Sequence, residues 1–103
     1  MTERRGFVLQ VKPGRIEEYV DAHRHVWPEM VEALRTAGIR NYTIFRAGNE
    51  MFGYFEADDL DQAERCLGAR EVSGRWQDAM AELLDERVPD GGPPPLEEVF
   101  RLD

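Results

Sequence analysis

The chain has 103 residues, of which 42% are hydrophobic, 33% charged and 10% aromatic. This composition predicts one globular domain, residues 1–103, with a modest core. Its 21 acidic residues outnumber its 13 Lys and Arg residues, so the net charge is −8. A chain this acidic, with no basic cluster, repels the phosphates of nucleic acids. We therefore expect no nucleic-acid partner.

The sequence also lacks the signals of export and membrane insertion. No segment approaches the ~20 apolar residues of a membrane span, and the apolar run after Met1–Arg5 is too short for a signal peptide. The single cysteine, Cys66, can form no internal disulfide, which fits a reducing compartment. These features predict a cytoplasmic protein with no membrane partner.

The first third of the chain is predicted to form a strand and a broken helix. Apolar residues alternate along Arg5–Lys12, which is typical of a strand, and Pro13–Gly14 ends it. Apolar and aromatic residues then recur at helical spacing over Arg15–Ala37, followed by Gly38, a common helix stop. Pro28 interrupts this pattern because it has no N–H for the carbonyl four residues back. We expect one kinked helix or two abutting helices.

The middle of the chain is predicted to form a hairpin and a short helix. Ile39–Arg46 and Met51–Ala57 are rich in β-forming residues and are joined by the turn-like segment Ala47–Glu50. Asp58–Asp59 can cap a helix over Leu60–Leu67, because acidic groups are favoured at the positive end of a helix.

The last third completes the predicted fold with a helix over Val72–Arg87, a turn-rich linker over Pro89–Pro95 and a strand over Leu96–Leu102. The order β-α-β-β-α-β is the α+β, ferredoxin-like arrangement, an antiparallel sheet with helices on one face. Both faces of the hairpin carry large apolar groups, yet the helices cover only one. A homodimer that closes a dimeric α/β barrel is the simplest cover for the other face.

One helical face carries the strongest candidate for chemistry. Tyr19, His23 and Trp27 are four residues apart, so they share a face if the helix extends to Trp27. A histidine among aromatic rings can titrate near neutrality, where one group both gives and takes a proton. The alternative is a core or interface histidine that only satisfies a hydrogen bond.

Other residues are weaker candidates. His25 and Glu29 have the spacing of half a metal site, but no third ligand suggests itself, so we predict no metal. Trp76 offers a flat ring to the C–H face of a sugar, although core packing explains a tryptophan equally well. Tyr42 and Tyr54 are expected to line a pocket on the uncovered face of the sheet.

The sequence resembles the L-rhamnose mutarotase family over nearly its whole length. The matching segments are Gly6–Val11, Glu17–His23, Val26–Glu29, Asn41–Ile44, Arg75–Trp76 and Leu96–Phe100. The resemblance implies a dimeric α/β barrel that interconverts the α and β anomers of L-rhamnose with neither metal nor organic cofactor. It also implies that His23 is the proton-donating histidine of the family. The sugar-contacting positions that it implies are Tyr19, Tyr42 and Trp76.

One position departs from the family pattern. Where family members have two adjacent tryptophans, this chain has Trp76 followed by Gln77. A glutamine exchanges a stacking contact for hydrogen bonds. L-Fucose, another 6-deoxy sugar, is therefore an alternative substrate.

The expected function is anomer exchange by acid–base ring opening and closure, with His23 moving the ring-oxygen proton. A water or a carboxylate is the candidate for the second acid–base group. Tyr19 would orient the histidine or the sugar, while Tyr42 and Trp76 hold the sugar ring. Two other interpretations stay open. The first is another activity of small dimeric α/β barrels, which also include cofactor-free monooxygenases and haem-handling proteins. A monooxygenase would need an oxidisable aromatic substrate, and in a haem-handling protein His23 or His25 would bind the iron. The second is a non-catalytic module that binds a small ligand and uses its histidine structurally.

Overall fold

The structure, a computed structural model, describes residues 1–89 and 91–102. Asp90, within the predicted linker, and Asp103 lie outside the described residues. The elements in chain order are β1 (Glu3–Gln10), a 3-10 helix (Pro13–Arg15), α1 (Ile16–Arg24), α2 (Pro28–Thr36), β2 (Arg40–Ala47), β3 (Glu50–Ala57), α3 (Leu60–Gly68) and α4 (Glu71–Ala81). Within the described ranges, none of these helices is long and apolar enough to cross a membrane.

The three strands form an antiparallel sheet in the order β1-β3-β2. Successive side chains of a strand point to opposite faces. On one face, which we call the helix face, Phe7 and Leu9 of β1 and Met51 of β3 are buried beneath the helices. The architecture is the predicted α+β, ferredoxin-like arrangement, with the helices on one face of the sheet.

The other face of the sheet, which we call the open face, carries exposed aromatic rings. Val8 pairs with Phe52, and Phe52 pairs in turn with Phe45. Of these side chains, Phe45 is 67% exposed and Phe52 is 41% exposed. Adjacent apolar rings that face solvent are typical of an interaction surface. The prediction that the helices leave one face of the hairpin uncovered is confirmed.

Pro28 divides the predicted helical segment into two abutting helices. It is the first residue of α2. A backbone N–H at this position makes no hydrogen bond within the helix, so a proline, which lacks the N–H, is tolerated there. Trp27 before it is extended, with φ −54° and ψ 131°, because a residue that precedes proline disfavours the helical conformation. Trp27 therefore lies outside α1, and the predicted shared helical face holds only for Tyr19 and His23.

α3 begins where the sequence predicts. The Asp59 side chain accepts a hydrogen bond from the Gln62 backbone N–H at 3.1 Å, which caps the first turn. The Glu3 carboxylate at the start of β1 accepts the Leu60 backbone N–H at 2.8 Å. These two bonds fix the start of α3 beside one end of the sheet.

α4 is shorter than the sequence predicts, since it ends at Ala81 rather than Arg87. The chain leaves the helix to meet the end of β1. The Asp85 backbone N–H donates to the Gln10 carbonyl at 2.9 Å. The Lys12 backbone N–H donates to the Leu83 carbonyl at 2.8 Å. The free edge of β1 thus competes with the helix for these backbone groups.

The predicted last strand, Leu96–Leu102, is not a strand in the structure. Its first residue donates its backbone N–H to the Gly6 carbonyl of β1 at 2.8 Å, but the described residues after it form no ladder with β1. A strand needs backbone bonds repeated along its length. We call this segment the C-terminal tail, and its residues Val99 and Phe100 are 86% and 79% exposed.

Candidate active site

Two adjoining cavities lie between the helices and the helix face of the sheet. Their volumes are about 630 and 580 Å³, in the range of small-molecule sites. Both are lined by His23, Tyr42 and Trp76, and the second is also lined by Tyr19. The four residues that the sequence analysis singled out therefore come together in one region of the molecule.

The backbone of α1 orients the His23 ring. Its Nδ1 atom lies 2.8 Å from the Tyr19 carbonyl oxygen, one turn earlier in the helix. Because a carbonyl only accepts hydrogen bonds, Nδ1 carries the hydrogen and donates it. In the neutral ring, Nε2 is then an unprotonated nitrogen that can accept a proton from a ligand.

Aromatic packing keeps this histidine neutral. The centre of the His23 ring lies 4.3 Å from that of Tyr19 and 5.4 Å from that of Trp76, which it meets edge-on. Burial lowers the pKa of His23 below its ordinary value of 6.5, although the hydrogen bond to the Tyr19 carbonyl acts in the opposite direction. At pH 7 the neutral form predominates, so the resting histidine is a base.

Two tyrosine hydroxyls remain protonated beside it. Tyr42 is 43% exposed, but the packing of neighbouring groups around its hydroxyl withdraws that group from water and raises the pKa of Tyr42 to about 12. Burial, together with the neighbouring Tyr42, also raises the pKa of Tyr19. Among the described residues, neither hydroxyl has a hydrogen-bond partner. Both can therefore donate a hydrogen bond to a molecule in the cavity.

A β-bulge sets the position of Tyr42. Arg40 and Thr43, three residues apart on β2, pair with residues that are only two apart on β3, so β2 has one extra residue here. Asn41, with φ 53°, adopts the left-handed conformation, which asparagine tolerates better than most residues. From this bulge the Tyr42 ring stacks on Phe55, with ring centres 5.1 Å apart.

The prediction that Tyr42 and Tyr54 share the uncovered face is wrong. The register places Thr43 opposite Tyr54, so the neighbouring Tyr42 points to the helix face and Tyr54 to the open face. The Tyr54 hydroxyl donates to the Glu56 carboxylate, and this bond raises the pKa of Tyr54. Only Tyr42 lines the cavities.

Trp76 on α4 packs in the core and also borders both cavities. It is 8% exposed and meets the Trp27 ring edge-on, with ring centres 5.1 Å apart. The Arg75 guanidinium lies 5.9 Å from the centre of the Trp27 ring and is 3.3 Å from the Glu29 carboxylate. These contacts hold the Trp76 ring in place while it also lines both cavities.

His25 does not join the site. It is 77% exposed, and its Nδ1 donates to the Asp21 carbonyl at 3.2 Å. Glu29, its predicted neighbour, pairs with Arg75 instead. Across residues 1–89 and 91–102, no three His, Cys, Asp or Glu side chains lie close enough together to hold a metal ion.

One charged pair in the cavity wall was not predicted from the sequence. Arg5 of β1 forms an ion pair with Glu64 of α3, and both line the cavity that contains Tyr19. The sequence does indicate the direction of the Arg5 side chain. Arg5 lies two residues before Phe7, so the two side chains share one face of the strand. Gln77, the position that departs from the family pattern, lines both cavities.

The fold and the cavities define a class of protein. It is a ferredoxin-like α+β protein whose small-molecule site sets a neutral histidine among tyrosine hydroxyls and an indole ring. This arrangement suits proton transfer to and from a bound ligand.

Comparison with known proteins gives the family. The model of the L-rhamnose mutarotase family matches residues 4–102. The L-rhamnose mutarotase of Ligilactobacillus salivarius is 36% identical over 110 residues, covering 100% of both chains. That of Oceanobacillus iheyensis is 32% identical, covering 98% of this chain and 99% of its own. The crystal structure of an L-rhamnose mutarotase from Formosa agariphila matches with a TM-score of 0.76 and 31% identity, over 98% of this chain and 99% of that one. The chain belongs to the L-rhamnose mutarotase family.

Proposed function

We propose that this protein is an aldose mutarotase, an isomerase that interconverts the α and β anomers of L-rhamnose. The observation that carries this proposal is the neutral His23, which lines a cavity together with Tyr42 and Trp76. Its Nδ1 is bonded to the Tyr19 carbonyl, and among the described residues its Nε2 has no hydrogen-bond partner. Such a group can take a proton from a neutral sugar and return it, which ring opening requires. The relatives named L-rhamnose mutarotase support the same reaction.

Ring opening moves one proton between two oxygens of the sugar. His23 Nε2 removes the proton of the anomeric hydroxyl as the bond between the anomeric carbon and the ring oxygen breaks. The anomeric oxygen becomes an aldehyde carbonyl, and the imidazolium delivers its proton to the former ring oxygen. Both oxygens are bonded to the same carbon at the start, so one histidine can serve both, and the proton count balances.

Ring closure uses the same groups in exchanged roles. Rotation about the bond from the anomeric carbon to its neighbour presents the other face of the aldehyde. The attacking hydroxyl gives its proton to His23, which returns it to the new anomeric oxygen. The protonated hydroxyls of Tyr19 and Tyr42 donate hydrogen bonds to the oxygen on which negative charge develops. The Trp76 ring stacks on the C–H face of the sugar.

Exchange spectroscopy by NMR tests this function directly. L-Rhamnose at anomeric equilibrium is measured with and without the protein. We expect exchange cross-peaks between the α and β anomeric signals, at a rate that grows with protein concentration above the buffer rate. Sugar binding without faster exchange would overturn the proposal and favour the non-catalytic binding module.

Gln77 favours a second candidate substrate, another 6-deoxy sugar such as L-fucose. Its side chain is exposed to both cavities and, among the described residues, its amide has no hydrogen-bond partner. An amide can recognise hydroxyls that a second indole ring cannot. We expect Gln77→Trp to raise the rate for L-rhamnose relative to L-fucose in the same assay. An unchanged ratio would mean that Gln77 does not select the sugar.

We also infer that the protein acts as a cytoplasmic homodimer through the open face and the C-terminal tail. Phe45, Phe52 and Phe100 are exposed there, and covering such rings favours association. Light scattering should give twice the mass of the chain, and Phe45→Asp should give the monomer. The control Gln62→Asp, which adds the same charge on α3, should stay dimeric. A monomeric wild type would contradict the inference.

A further inference from the structure

We propose that the Arg5–Glu64 ion pair binds a hydroxyl of the sugar in the cavity, and thereby contributes to the choice of substrate. This inference rests on the proposed function, because it assumes that the cavity holds a sugar. The pair lies outside the His23, Tyr42 and Trp76 group that the proton transfer uses.

The pair places charge in a cavity wall that is otherwise neutral. Among the described residues that line the cavity with Tyr19, Arg5 and Glu64 are the charged ones. Arg5 points to the helix face of β1, two residues before the buried Phe7. Its side chain is 27% exposed and that of Glu64 is 47% exposed. Both groups are thus partly withdrawn from water.

The pair supplies what the rest of the wall lacks, a charged hydrogen-bond acceptor. Tyr19 and Tyr42 keep their protons, and the Trp76 indole N–H can only donate. A sugar hydroxyl must also donate its own hydrogen. The Arg5 guanidinium holds the Glu64 carboxylate in place, and a paired carboxylate keeps lone pairs for a second donor. Hydrogen bonds to charged acceptors are stronger than those to neutral ones.

Steady-state exchange kinetics with Glu64→Leu test the proposal. This variant keeps the bulk of the side chain and removes the acceptor. We expect KM for L-rhamnose to rise about tenfold or more, since that is the usual effect of losing a bond to a charged group, while kcat changes by less than about twofold, since the bond is not made in the chemical step. Glu64→Gln, which keeps a neutral acceptor, should recover part of the loss.

A matched control separates binding from a structural role. Glu32 of α2 pairs at 3.9 Å with Arg70, the residue before α4, and neither residue lines either of the two cavities. Glu32→Leu should leave KM unchanged. An equal KM for Glu64→Leu and wild type, or an equal rise in both Leu variants, would overturn the inference.

Deoxy sugars identify the bound hydroxyl. Wild type and Glu64→Gln are compared on L-rhamnose and on derivatives that each lack one free ring hydroxyl. For one derivative the KM difference between the two proteins should vanish, because the bonding partner is gone. A difference that persists for every derivative would contradict hydroxyl binding. If wild type exchanges no sugar, the proposed function fails, whereas active wild type with unchanged variants defeats this inference alone.

Discussion

The helix face and the open face of the sheet come from the same alternating strands but carry different chemistry. On the helix face, Phe7 and Tyr42 pack around cavities in which His23 is held neutral. On the open face, Phe45 and Phe52 point outward beside each other. One face encloses cavities of small-molecule size, and the other leaves apolar rings exposed.

The difference shows that strand register decides what a residue does. Tyr42 and Tyr54 are the same residue type in adjacent strands. Tyr42 lines the cavities, and its hydroxyl has no partner within residues 1–89 and 91–102. The Tyr54 hydroxyl instead donates a hydrogen bond to Glu56. A slip of one residue along β2 would move Tyr42 to the open face, where Tyr54 lies. The bulge at Asn41 is therefore as important to the site as the side chains that it places.

The largest effect is expected at His23, the proposed acid–base group on the helix face. His23→Asn keeps a polar side chain but removes the titrating nitrogen, so we expect the exchange rate to fall about 10²–10⁴-fold. His25→Asn is the matched control, because His25 is exposed and outside the cavities, and it should retain the wild-type rate. Equal losses in the two variants would contradict a specific role for His23.

A pair of glycine substitutions compares how tightly the two faces are packed. A methyl group at Gly53 would overlap the Phe7 ring, whereas one at Gly6 would lie at ordinary contact distances of 3.6 and 3.8 Å. Gly53→Ala should lower the free energy of unfolding by about 1–3 kcal/mol through overpacking. Gly6→Ala should change it far less, as chemical denaturation can show. Similar losses would mean that the helix face is not the more tightly packed one.

Phenylalanine substitutions at Tyr42 and Tyr54 compare the two faces by the loss of a single hydroxyl, and the expected effect is smaller than at His23. Tyr42→Phe removes a hydroxyl donor from the cavity wall. If the sugar binds there as proposed, kcat/KM should fall about tenfold, as for the loss of one hydrogen bond. Tyr54→Phe removes only the bond to Glu56 on the open face and should leave kcat/KM unchanged. The reverse result would move the site to the open face.

The smallest expected effect is the dependence of the rate on pH. In the proposed mechanism the neutral form of His23 is the base, and burial lowers its pKa below 6.5. After subtraction of the buffer rate, activity should stay level from pH 7 to pH 9 and fall as the pH drops through that lowered pKa. Tyr42, with a pKa of about 12, stays protonated throughout. Activity that instead fell between pH 7 and pH 9 would show that the imidazolium is the resting form.

Local sequence patterns predicted the elements whose signals are themselves local. The Asp59 cap and the break at Pro28 both lie where the sequence places them, because capping and the missing proline N–H act within one turn. The early end of α4 and the absence of the strand Leu96–Leu102 were not predicted. In both cases the outcome depends on backbone bonds to the distant strand β1.

The part of the candidate site that depends on local spacing could be predicted from the sequence, and the part that depends on the fold could not. Tyr19 and His23 meet because they are one helical turn apart. The face of Tyr42 depends on a bulge and on pairing with β3, which the spacing along β2 does not reveal. Arg5 and Glu64 come from elements far apart in the chain, so only the fold shows that they form a pair.

The most direct test of the account is to locate the bound sugar by NMR. L-Rhamnose is titrated into the isotope-labelled protein while the Trp76 indole N–H and the backbone amides of Phe45 and Phe52 are followed. The account predicts a saturable shift of the Trp76 signal, with the two amides unchanged. Saturable shifts at Phe45 and Phe52, with Trp76 unaffected, would contradict it.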